Sequence, residues 1–131
     1  MKKFFFALFL STGLFFCSQA QEKQPWKQME DFHNIMSQTF HPAEEGHLEP
    51  IKHRSQEMVN KAIAWQTSTA PKGYDKKKVD ASLKKLVKGT KELNNLVKAK
   101  ASDKALKAKL SGLHDTFHEI MEKCEKEDHH Q

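Results

Sequence analysis

"KKKVDASLKKLVKGTKELNNLVK", residues 76–98, carries the pattern on which the fold turns. Val79, Leu83, Leu86, Leu93 and Val97 recur at steps of three, four and seven, with Thr90 as the polar member of the row. Residues three and four apart share one side of an α-helix, so this spacing predicts an amphipathic helix. The lysines around the row, as in "KKKVDASLKK", read as its solvated face.

The same period extends in both directions. In "PWKQMEDFHNIMSQTF" the stripe is Trp26, Met29, Met36 and Phe40, with His33 in the open slot and Pro25 at a natural first-turn position. "HPAEEGHLEP" breaks the period with two prolines and a glycine. "IKHRSQEMVNKAIAWQ" resumes it through Ile51, Ser55, Met58, Ala62 and Trp65, and "TSTAPKGYD" is a second loop. Past a break at "AKASDK", where Ser102 is a helix N-cap, the last helix carries Leu106, Leu110, Leu113, Phe117, Ile120 and Cys124. No strand pattern occurs. Short connections make successive helices antiparallel, so the expected fold is all-α, an up-down-up-down antiparallel four-helix bundle over residues 21–131. The tail, residues 125–131 with His129 and His130, is expected to be disordered.

Residues 1–20, "MKKFFFALFLSTGLFFCSQA", belong to a different category. Lys2 and Lys3 precede an apolar run at residues 4–16, and Ser18-Gln19-Ala20 is a small-x-small cleavage site. This is the pattern of a signal peptide cut after Ala20, giving a periplasmic or secreted domain with no membrane insertion after cleavage. A lipoprotein signal needs a small residue before the modified cysteine; Phe16 precedes Cys17, which argues against lipidation.

Loss of Lys2 and Lys3 lowers the formal net charge of +5 by two. Arg54 is the single arginine, and lysine reads bases and phosphates poorly, so nucleic acid is excluded as a partner. Of the two cysteines only Cys124 follows the cleavage site, so the domain has no internal disulfide, and Cys124 reads as a buried thiol. No nucleophile arrangement or Gly-rich phosphate loop stands out, so the chain reads as no enzyme.

The histidines carry the functional reading. In "LHDTFHEIMEKC", residues 113–124, His114 and His118 stand four apart beside the apolar stripe. Antiparallel packing at about 1.5 Å per residue sets His33 level with Phe117, together with Met58 and Leu86. Three imidazoles then converge on one layer, with Met29, Met36 and Met121 a turn away and Glu30 and Asp115 positioned to accept from ring N–H groups. An i, i+4 histidine pair suits a single metal ion, so His33, His114 and His118 are the expected ligands of zinc or copper. The role would be metal buffering, sensing or delivery. A second group around the first loop, His41, Glu45, His47 and His53, is assigned to the opposite end of the bundle as a further candidate.

"LSGLHDTFH" also resembles the end of the fourth helix in cytochromes of the c-prime type, C-x-x-C-H-D-x-[FY]-R. Leu110 and Leu113 stand where the haem-binding cysteines would be, so covalent haem is excluded. The soluble periplasmic cytochrome b of the same fold holds haem b without those cysteines. That resemblance implies His114 and Met29 as the iron ligands of an electron carrier or gas binder. A third reading is a cofactor-free interaction module, whose histidines tune stability with pH. The pattern leaves a homodimer open.

Overall fold

The computed structural model describes residues 24–125. Among them are four helices and no strand: α1 (Lys27–Glu44), α2 (Glu49–Thr67), α3 (Lys76–Lys98) and α4 (Asp103–Glu125). The signal-peptide reading and the tail histidines lie outside the described residues.

Each helix starts and stops for a local reason. The Asp75 carboxylate accepts from Lys77 N at 3.0 Å and opens α3. Ser102 caps α4 as expected, its Oγ accepting from Ala105 N at 3.2 Å. Pro50 sits in the first turn of α2, where a missing N–H costs nothing. Pro25 does not do the same for α1. The cap position belongs to Trp26, and Pro25 lies outside the helix. Trp26 is fully buried and its indole N–H donates to Ser68 Oγ at 2.8 Å, which fixes where α1 begins.

The first helix also outlasts the break expected at His41. It runs through Pro42 to Glu44. The Pro42 carbonyl accepts from His47 N at 2.9 Å and the Ala43 carbonyl from Gly46 N at 3.0 Å, with Gly46 at φ +90°. That is a Schellman stop, in which glycine supplies the left-handed residue. The same closure ends α3, with Ala101 N to Leu96 O at 3.0 Å and Lys100 N to Val97 O at 3.1 Å. There the left-handed residue is Lys100, at φ +54°.

Among the described residues α1 packs on α2 and α4, and α3 packs on the same two, while the backbones of the diagonal pairs stay apart and α2 and α4 meet through the rings of Trp65 and Phe117. The expected stripes of α2 and α4 are buried throughout, as is that of α3 up to Val97, which is half-buried. In α1 Trp26, Met29, Met36 and Phe40 are buried as expected, but the slot between Met29 and Met36 goes to the neighbouring residue. Phe32 is fully buried, and His33 is exposed. Met29–Phe32–Met36 and Met29–His33–Met36 fit a helical period equally well, and the benzyl ring removes far more apolar surface from water than an imidazole does.

The inward turn of Phe32 builds an aromatic cluster. Phe32 lies 5.7 Å from Trp65 and 5.9 Å from Phe117, while Trp65 meets Trp26 edge-on at 6.1 Å. Trp65 is an α2 residue against Phe117, at 5.9 Å. The α1–α4 approach is the widest of the four. Phe32, Phe40 and Phe117 fill it, and its outer edge is lined by histidines.

Candidate functional site

His114 and His118 stand one turn apart on α4, which brings them to the same edge. Their Nε2 atoms are 3.1 Å apart, with the rings 4.4 Å between centroids and 78° from coplanar. Two arrangements suit that distance. One neutral ring can donate its N–H to the other, or both nitrogens can address a single ion. With metal–nitrogen bonds of about 2.0–2.1 Å, that separation subtends roughly 100° at a metal, near the tetrahedral angle. The pair therefore has the bite of a chelate.

The α1 side holds this pair in place. The ring of His114 lies flat on Phe40, with centroids 3.8 Å apart and planes 9° from parallel. His118 stands edge-on to Phe117 at 5.9 Å, and His33 stacks on the same Phe117 at 5.3 Å and 12°. The structure thus brings His33 to the ring that borders the pair. It does not complete a three-ligand cluster: among the described residues no three His, Cys, Asp or Glu side chains are gathered for a metal ion. The inward position on α1 goes to Phe32, which leaves His33 on the exposed side of Phe117.

His41 was missed as a neighbour of this site. Because α1 continues through Pro42, His41 stays on the helix, 5.8 Å from Phe40 between ring centroids. His114 is half-buried, and burial is the first cause that holds its pKa below the ordinary value. The neighbouring His118 acts the same way, the Asp115 and Glu44 carboxylates oppose it, and His41 adds to the lowering. His114 is accordingly biased toward the neutral imidazole that a metal requires. A sequence signal existed: a proline within the last turn need not end a helix when a glycine follows in the stop position.

The loop group is dispersed. His47 and Glu45 are exposed, and His53 pairs with Glu49, Nε2 to Oε2 3.5 Å. Glu30 is exposed as well. Cys124 is buried, as expected. Met29 is buried, but it precedes Phe40 by eleven residues, about 16 Å along α1. Since His114 lies against Phe40, Met29 and His114 are not placed to share one iron.

Fold and site together define an all-helical chain with an imidazole pair on the edge between its first and last helices. No family model matches the chain, and neither does any curated protein or solved structure. No helix among the described residues is long and apolar enough to cross a membrane.

Proposed function

We propose that this chain is an exported, non-catalytic protein that binds a transition-metal ion, zinc or copper, through His114 and His118. The observation that carries the reading is the 3.1 Å separation of the two Nε2 atoms. The remaining ligands come from α1 or from water. His33 shares Phe117 with His118, and His41 shares Phe40 with His114, so both stand beside the rings that border the pair. Metal buffering, sensing or delivery outside the cytoplasm is the corresponding role, the location resting on the signal pattern of residues 1–20.

The topology proposed for this protein is an up-down-up-down antiparallel bundle. Links between neighbouring helices support it, because early residues of one pair with late residues of the next. Trp26 meets Ser68, Arg54 meets Gln38, Lys76 meets Ser68, Ser55 meets Asn94, Lys123 meets Ser82 and Lys107 meets Glu44.

The test is a zinc and copper titration followed by calorimetry and by melting. An ion that binds the folded state alone stabilises it by about 2.7 kcal/mol at a hundredfold excess over Kd. His114→Ala and His118→Ala should each abolish most of that rise, and non-additively, since losing either nitrogen disables the chelate. His53→Ala should leave it intact. Unchanged binding in both α4 variants would end the proposal.

A further inference from the structure

The long third helix carries eight lysines against two acids, whereas the other three helices together are slightly acidic. Its outermost row runs Lys77, Ala81, Lys84, Lys88, Lys91, Asn95 and Lys98, at alternating steps of four and three. Every member of that row is exposed. Lys77, Lys84, Lys88, Lys91 and Lys98 make no ion pair among the described residues.

Several cations on the other helices are arranged differently. Lys27 pairs with Asp31, Lys52 with Glu49, Arg54 with Glu57 and Lys123 with Glu119, each three or four residues away on its own helix. Along the α3 row Lys84 stands four residues from Lys88 and Lys88 three from Lys91, like charges that repel. Asp80 and Glu92 are the two acids within that spacing, Glu92 feeling Lys88 only after Lys109. Of the acids on α3, Glu92 is engaged by Lys109 and Asp80 is half-buried beside the start of the row.

We infer that the outer face of α3 is a docking surface for an anionic phospholipid membrane, on which the protein lies without inserting. The row runs about 31 Å along the helix and drifts by only about 20° per heptad, within the reach of lysine side chains, so a plane can meet all five charges at once. The distance over which they act is a Debye length, about 8–10 Å in physiological salt. Charge complementarity is all the crest offers. It has no apolar residue larger than Ala81 to insert between acyl chains. It also has no aromatic ring to stack a nucleobase and no arginine fork to read one. Contact with acidic headgroups relieves the lysine–lysine repulsion that the isolated helix bears.

The experiment is flotation of the purified protein with vesicles of phosphatidylglycerol and phosphatidylcholine, beside vesicles of phosphatidylcholine alone. Binding should occur only on the acidic vesicles and should vanish in roughly 1 M salt, where the Debye length falls to about 3 Å. The triple variant Lys84→Gln, Lys88→Gln, Lys91→Gln should bind roughly a hundredfold more weakly. Lys27→Gln, Lys72→Gln, Lys104→Gln makes the same charge change elsewhere and should bind as the unaltered protein does. Circular dichroism checks that both variants fold, and the salt titration of the unaltered protein tests the charge dependence without any substitution. No binding to acidic vesicles, binding that ignores salt, equal binding to neutral vesicles, or undiminished binding in the α3 variant overturns the proposal. So does capture by a soluble polyanion such as polyphosphate without capture by vesicles.

Discussion

The imidazole of His114 lies flat on the ring of Phe40, 3.8 Å between centroids and 9° from parallel. This contact joins the core to the site, because Phe40 is buried while His114 is half-buried at the edge. Phe40→Ala should cost about 3–5 kcal/mol of stability, as for other buried benzyl groups. Phe40→Leu should cost much less, yet it should still weaken zinc binding by loosening the ring that aims Nε2 at His118. Denaturant melts and zinc titrations of the two variants check this; full affinity in Phe40→Leu would show that the stacking does not orient the site.

His114 also sets a pH dependence in the metal-free protein. Its pKa in the folded state lies below the ordinary value, through burial first and His118 second, with His41 adding and Asp115 and Glu44 opposing. Below about pH 6.5 the unfolded chain then takes up a proton that the folded chain resists. This contribution therefore destabilises the fold as the pH falls through that range and disappears above it. In His118→Gln the titration midpoint of His114, followed by NMR, should move up. A midpoint that stays put would remove His118 from the causes.

Lys100 holds a left-handed backbone conformation at the stop of α3, φ +54°. A side chain with Cβ costs roughly 1–2 kcal/mol there, and glycine carries no such cost. Lys100→Gly should raise stability by about 1 kcal/mol in a denaturant melt. A loss of stability would mean that the lysine side chain compensates for its backbone.

Two helical glycines offer a paired comparison. A Cβ at Gly112 would meet nothing, so Gly112→Ala should gain about 1 kcal/mol of helix propensity. A Cβ at Gly89 would collide with the Leu113 Cδ2 methyl, which must swing aside. Gly89→Ala should therefore gain less than Gly112→Ala, and Gly89→Ala combined with Leu113→Ala should show coupling between the two sites. Equal gains at both glycines would mean that α3 and α4 have slack at this crossing.

The polar links across the core were less legible than the apolar stripes. Ser55 and Thr90 fall on their stripes and are buried. Asn94 does not fall on one, yet it is buried, accepting from Ser55 Oγ at 2.8 Å and donating to Gln56 Oε1 at 2.8 Å. Periodicity counts apolar residues and has no means of pairing an amide with a hydroxyl on another helix.

Sequence by itself determined the four helices, nearly all of their buried stripes, the Ser102 cap and the i, i+4 placement of His114 and His118. These are short-range properties, set by spacing along one helix. Tertiary structure decided whether Phe32 or His33 turned inward. The two differ by a single step of the helix and fit its period equally well; the greater apolar surface of Phe32 settles the choice once Trp65 and Phe117 are there to cover it. Tertiary structure also brought His41 and Glu44 to His114, because Gly46, and not Pro42, closes the first helix. The imidazole pair was written in the chain; its neighbours depend on how one helix is rotated against another.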